Sequence, residues 1–134
     1  MKDEIDTGPV MGTIFNAGKL LFVPRIEGED LVFYQTGQKN GHTGNPALGV
    51  CLKPTDFPAL VITPGLAFDR DFNRLGRGRS FYDRFFTALD RDRREYTSIG
   101  LCMDCQLVDK VPVDTWDKKL DMLLTESGFN MNTY

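Results

Sequence analysis

Residues 61–83 read VITPGLAFDRDFNRLGRGRSFYD, and the rest of the chain is arranged around them. Leu60, Val61 and Ile62 form a short apolar run that reads as a buried strand. Pro64-Gly65 ends it, and Asp69, Asp71 and Asn73 mark a polar turn. Arg74-Leu75-Gly76-Arg77-Gly78-Arg79-Ser80 then leads directly into Phe81-Tyr82-Asp83 and a helical pattern. A strand that passes through a glycine-spaced loop into a helix start turns backbone N–H groups toward an anion.

The residue types agree with that geometry. Gly76 and Gly78 can adopt positive φ and let a ligand approach the backbone. Arg74, Arg77 and Arg79 place three permanent cations in one loop, and guanidinium groups hold phosphate through paired N–H bonds. Asp83, just past the loop, suits Mg²⁺, which bridges carboxylate and phosphate oxygens. Residue types alone leave three readings open: a phosphate cradle, a contact to RNA backbone, or a solvated turn.

Composition narrows these. The chain has 134 residues, 41% of them hydrophobic, which predicts a single domain over 1–134. Net charge is -3 and pI about 5.1, so bulk charge does not mark a nucleic-acid binder. The positive charge is local: Arg70, Arg74, Arg77, Arg79, Arg84, Arg91, Arg93 and Arg94 are half of the 16 Lys and Arg residues. That favours a small anionic ligand over a polyanion. No apolar run approaches a membrane span, and the opening MKDEIDTG is acidic, without a signal-like segment. Three cysteines leave one unpaired in any disulfide scheme, which fits a reducing, cytoplasmic compartment.

Along the chain, Thr7-Gly8-Pro9 predicts a helix entry with a hydroxyl cap, and Gly18 its end. Residues 19–24 read as a buried strand and 31–34 as an edge or hairpin strand. Residues 35–58 are a long loop containing His42, whose readings are a base or a solvated side chain. The main helix is expected over 80–94, with Phe81, Phe85 and Leu89 on one face. A further strand is expected over 97–103. Asp114 is a candidate cap for a final helix running to residue 124, and the tail from 126 shows no pattern. Cys102-Met103-Asp104-Cys105 is one Cys-x-x-Cys pair, short of the four ligands of a structural zinc site. Trp116 suits either covering a ligand ring or packing a helix. Strands alternating with helices give an α/β fold with ligands at the carboxyl ends of strands.

The central stretch resembles the signature of the 5-formyltetrahydrofolate cyclo-ligase (methenyltetrahydrofolate synthetase) family. That pattern is Pro-Gly-x-x-Phe-Asp followed by Arg-Leu-Gly-(Tyr/Arg)-Gly-(Gly/Lys)-Gly-Tyr-Tyr-Asp. Pro64, Gly65, Phe68 and Asp69, then Arg74 to Asp83, match it in order and spacing. Two positions depart: Ser80 stands for a glycine, and Phe81 for a tyrosine. Asp3-Glu4-Ile5-Asp6-Thr7, the KLLFVPR of residues 19–25, and Val111-Pro112-Val113 with Asp117 resemble further family segments. At Leu48-Gly49-Val50 the resemblance continues, but Lys53-Pro54 replaces the family's acidic residue and proline.

The resemblance implies a three-layer, largely parallel, Rossmann-like sheet flanked by helices. It also implies ATP as co-substrate and Mg²⁺ held by Asp83 and Asp117, with Asp121 as the neighbouring alternative. The nucleotide would lie on Arg74, Leu75, Gly76, Arg77, Gly78, Arg79, Ser80, Phe81 and Tyr82. The folate would meet Glu4, Arg77, Gly78, Arg79, Ser80 and Phe81. Arg77 and Arg79 are the first choices for stabilising the moving phosphoryl group. The implied reaction converts 5-formyltetrahydrofolate to 5,10-methenyltetrahydrofolate with release of ADP and phosphate, in a monomer or homodimer. Family members carry a helix and a strand before the point matching Met1. The resemblance therefore implies either a natural short form or the later part of a longer protein, with low or absent turnover expected of this version, the functional alternative being a non-catalytic nucleotide- or folate-binding relic.

Overall fold

The computed structural model describes residues 5–36 and 50–131. Chain contacts divide them into two units, Asp6–Asp56 and the chain from Phe57 onward together with Ile5. Glu4, His42 and Leu48-Gly49 lie outside the described residues.

In the first unit, α1 spans Gly8–Asn16 with proline in its first turn. Thr7 occupies the cap position, but its hydroxyl makes no capping bond, which corrects the predicted cap. Its backbone is near-helical (φ -88°, ψ -3°), not the extended geometry that turns a cap oxygen onto the helix. The Asp6 carboxylate accepts from the Gly8 N–H at 3.0 Å instead. Gly18 ends the helix as predicted. At φ +75° its N–H reaches the Phe15 carbonyl at 3.1 Å, and the Lys19 N–H reaches the Ile14 carbonyl at 3.3 Å. Strand β1 (Phe22–Glu27) and β2 (Asp30–Gln35) follow as an antiparallel hairpin. It turns on Gly28-Glu29, with Gly28 at φ +65°. The strand expected at 19–24 therefore starts later, and it is not buried. β1 pairs only with β2 among the described strands, and Ile26 on it is 57% exposed.

The second unit carries β3 (Ala59–Thr63), β4 (Ala67–Phe68), β5 (Arg74–Leu75), α2 (Phe81–Arg91), β6 (Tyr96–Leu101), β7 (Met122–Thr125) and β8 (Gly128–Met131). The sheet runs β3-β6-β7-β8. β3 pairs β6 in parallel and β6 pairs β7 in parallel, while β8 returns antiparallel at the edge. This is the expected α/β class, with a mixed, mostly parallel sheet. One face takes Val61 and Thr63 from β3, Ser98 and Gly100 from β6, and Leu123 from β7, as their register requires. Phe86 and Leu89 of α2 pack on Val61, and the Phe86 ring stacks on Tyr96 at 5.2 Å. Beside this cluster, Phe68, Cys102, Leu120 and Leu123 close a second core. Gly100 lies beneath it: a Cβ there would come within 2.7 Å of Leu120, 2.8 Å of Phe68 and 2.9 Å of Leu123.

α2 stops at Arg91, earlier than its charge pattern suggested. The Arg93 N–H bonds the Asp90 carbonyl at 3.1 Å and the Arg94 N–H bonds the Leu89 carbonyl at 2.9 Å. With Arg93 at φ +57°, this is a Schellman stop that usually takes glycine.

The helix predicted from Asp114 does not form. Asp114 and Asp117 make only a reciprocal turn: the Asp114 N–H donates to the Asp117 carboxylate at 2.8 Å. The Asp117 N–H donates back to the Asp114 carbonyl at 3.1 Å. Of the residues after it, Met122–Thr125 are drawn into the sheet as β7, since a short apolar run suits a strand as well as a helix. The tail read as patternless supplies β8. No helix among the described residues is long and apolar enough to cross a membrane.

Candidate active site

β3 delivers Pro64 to the carboxyl end of the sheet, and the small β4/β5 hairpin doubles the chain back before the arginine loop. Asp69 closes that hairpin, and it is 1% exposed. One carboxylate oxygen accepts from the Asp71 and Asn73 N–H groups, each at 3.0 Å. The other accepts from the Asn73 amide at 3.1 Å and from the Val111 N–H at 2.9 Å. Burial alone would push this carboxyl up. The bonds from Val111, Asn73 and Asp71 outweigh it and hold the group below its ordinary value.

Arg74 is turned inward, its side chain 8% exposed. Its guanidinium donates to the Pro64 carbonyl at 3.1 Å, lies 3.7 Å from the Asp83 carboxylate, and stands 5.5 Å from the Tyr82 ring centre. The two flanking glycines make its slot. A Cβ at Gly65 would come within 2.9 Å of the Arg74 Cγ, and one at Gly76 within 2.8 Å of a guanidinium nitrogen. Gly76 therefore makes room for Arg74 and does not need positive φ, whereas Gly78 does take φ +88°.

Arg77, Gly78 and Arg79 are exposed, and the Arg79 carbonyl is held by the Arg84 guanidinium at 2.9 Å. Arg84 in turn lies 5.3 Å from the Phe81 ring centre. Ser80, where the family pattern has glycine, adopts the left-handed region (φ +56°, ψ +26°) as the cap residue of α2, and its side chain makes no capping bond.

The segment from 104 to 121 is laced onto this stretch by bonds that no local pattern announces. The Gln106 amide reaches the Gly65 carbonyl at 3.0 Å. The Val108 N–H reaches the Phe68 carbonyl at 2.8 Å, and the Leu120 N–H reaches the Phe72 carbonyl at 2.9 Å. Val111 meets Asp69, as above. The Lys118 N–H meets the Asp83 carboxylate at 3.1 Å, which brings the residue after Asp117 onto Asp83. Asp121 instead braces β6, accepting from the Ser98 N–H at 2.8 Å and its hydroxyl at 3.2 Å. Trp116 is 61% exposed, and with no helix there its helix-packing reading lapses. Cys102 is fully buried and Cys105 exposed; burial pushes the Cys102 thiol up to about 11.

Among the described residues no group of three or more His, Cys, Asp or Glu side chains could enclose a metal. Two carboxylates from different segments are nonetheless the donor set Mg²⁺ uses when phosphate and water complete its shell. Clefts of about 500 and 750 Å³ occur in this unit, and neither is lined by residues 74–83. The arginine loop is an open surface. Asp69 is the residue a sequence reading undervalues. Its place in a polar turn was visible, but its burial and its bond to Val111 were not.

The model of the 5-formyltetrahydrofolate cyclo-ligase family matches residues 1–126. The chain is 30% identical to the mouse 5-formyltetrahydrofolate cyclo-ligase over 96% of its own length and 70% of the relative's. It is 33% identical to the Escherichia coli enzyme of that name, over 92% of itself and 72% of the relative. The solution structure of Aquifex aeolicus 5,10-methenyltetrahydrofolate synthetase superimposes with a TM-score of 0.69 at 28% identity, covering 98% of this chain and 67% of that one. A family match over residues 1–126, carried on the same fold as a solved relative, places this chain in the 5-formyltetrahydrofolate cyclo-ligase family.

Proposed function

We propose that this chain binds Mg²⁺·ATP and 5-formyltetrahydrofolate and converts the folate to 5,10-methenyltetrahydrofolate, releasing ADP and phosphate. The observation that carries this reading is the bond from the Lys118 N–H to Asp83 at 3.1 Å. It joins the segment of Asp117 to the helix start that follows the arginine loop. We take both units as one functional domain, since the family match runs across them.

In this reading the exposed Arg77 and Arg79 meet the terminal phosphates, aided by backbone N–H groups opened by the turn at Gly78. Arg74, Leu75, Gly76, Ser80, Phe81 and Tyr82 complete the nucleotide-binding loop; Arg74 acts from beneath it. Arg77, Gly78, Arg79, Ser80 and Phe81 face the folate, and the family resemblance adds Glu4 as a folate-binding residue. Asp83 and Asp117 hold Mg²⁺, which when bound offsets negative charge on the phosphates. The formyl oxygen takes the γ-phosphoryl group as the bond to ADP breaks. The neighbouring folate amine then attacks the activated carbon, loses its proton, and the oxygen leaves with phosphate. The guanidinium groups of Arg77 and Arg79 stabilise the charge on the moving phosphoryl group. No protein nucleophile is needed.

The test is methenyl-folate absorbance with and without ATP, run beside calorimetric titration of Mg²⁺·ATP. ATP-dependent product formation that falls at least 10-fold in Arg77→Gln supports the reading. Tight Mg²⁺·ATP binding without turnover identifies the binding-only form instead. Neither binding nor turnover refutes both.

A further inference from the structure

We propose that Asp69 is a positioning residue that couples the two halves of the nucleotide–metal site. Its carboxylate holds the two segments of that site in one place. It closes the 69–73 turn from which Arg74 departs, through the N–H groups of Asp71 and Asn73. It also anchors the chain 42 residues on, through the Val111 N–H at 2.9 Å. Val111 is 1% exposed, so no solvent replaces that bond if it is lost. From Val111 the chain runs six residues to Asp117 and then to the Lys118 N–H on Asp83. Along this stretch Asp117 is fixed by Val111 on Asp69 at one end and Lys118 on Asp83 at the other, with the Leu120 N–H on the Phe72 carbonyl just beyond. The arginine loop has its own anchor, Arg84 on the Arg79 carbonyl at 2.9 Å. Loss of the Asp69 carboxylate therefore loosens the metal-ligand segment more than the phosphate-binding segment.

This inference rests on the reading of Asp83 and Asp117 as metal ligands, and its test separates the two. Affinities for ATP alone and for Mn²⁺·ATP are measured by calorimetry and by Mn²⁺ electron paramagnetic resonance. The full chain is used, at a temperature where circular dichroism shows each variant folded. Asp69→Asn should weaken Mn²⁺·ATP by about 10-fold or more while metal-free ATP changes less than about 2-fold, since one lost buried bond to a charged group corresponds to roughly that factor. Asn73→Ala removes a single donor from the same carboxylate and should show the same pattern at about 2- to 5-fold; it carries the test if Asp69→Asn does not fold. In the double variant Asp69→Asn/Asp117→Asn, the Asp69 change should add no further loss, because both act through one ligand. If Asp83→Asn and Asp117→Asn weaken Mn²⁺·ATP but Asp69→Asn and Asn73→Ala do not, the coupling role is overturned and the metal site stands. Equal losses for ATP with and without Mn²⁺ also overturn it. If Asp83→Asn and Asp117→Asn change nothing, the metal reading falls and the inference with it.

Discussion

Gly100→Ala tests the packing on which the site is built. The new Cβ would stand 2.7 Å from Leu120, 2.8 Å from Phe68 and 2.9 Å from Leu123. All three are at most 1% exposed, and each would have to retreat by roughly half an ångström in a core packed to crystal density. Gly100 is on β6 between β3 and β7, so the backbone cannot swing away without breaking pairs on both sides. Overpacking of this kind costs about 1–3 kcal/mol, and three simultaneous clashes put it at the top of that range. Alanine narrows the unfolded ensemble and returns about 0.4–1 kcal/mol. The net expectation is a loss of about 2 kcal/mol, or a urea midpoint about 1 M lower at a slope near 2 kcal/mol per M. Gly76→Ala is the matched comparison. Its close contact is the far end of one long side chain, Arg74, and not three core side chains at once, so its midpoint should move by less than about 0.5 M. Urea unfolding followed by circular dichroism reads both. A Gly100→Ala variant as stable as the parent would refute the description of this core.

Other outcomes follow from the same geometry. Arg93→Gly, at the left-handed stop after α2 (φ +57°), should raise stability by up to about 1 kcal/mol in thermal melts, the released strain being partly offset by glycine's unfolded-state entropy. Ser80→Gly, at φ +56°, should gain a similar amount. In native protein at pH 8, iodoacetamide should label Cys51 and Cys105, which are exposed, and spare Cys102, whose thiol burial raises to about 11. The Asp69 carboxyl is held below its ordinary value, so its stabilisation is present above the unfolded value of about 3.9 and is lost as pH falls through the folded value. The stability gap between parent and Asp69→Asn should therefore be full at pH 6 and shrink below about pH 4 in urea titrations at each pH.

What the sequence makes legible is what local pattern encodes. The run at 60–62, the α2 pattern of Phe81, Phe85 and Leu89 with Phe86 beside it, and the alternation at Ile99 and Leu101 each announce their element, although the residues buried there are Val61, Phe86 with Leu89, and Ser98, Gly100 and Leu101. Gly18 and Gly28 announce turns because only their backbone fits there cheaply. The helix expected from Asp114 fails for the opposite reason. Its entry turn forms, but Leu120 and Leu123 gain more by filling the space over Gly100, with Met122 to Leu124 pairing with β6, than by continuing a helix. That choice depends on partners far along the chain. In the candidate site, the arginines and Asp83 stand out by type and spacing. The inward turn of Arg74 and the burial of Asp69 do not, since both arise from contacts with Pro64, Asp83 and Val111 that the chain makes only when folded.

The central claim is that the loop from Arg74 to Asp83, joined to the segment of Asp117, is a seat for a metal nucleotide. Calorimetric titration of ATP into the parent chain and into Asp83→Asn, with and without Mg²⁺, tests it most directly. The account predicts that Mg²⁺ tightens ATP binding to the parent at least 10-fold and that Asp83→Asn abolishes this gain, a coupling of about 1.4 kcal/mol or more. ATP affinity indifferent to Mg²⁺, or a gain that survives Asp83→Asn, would contradict it.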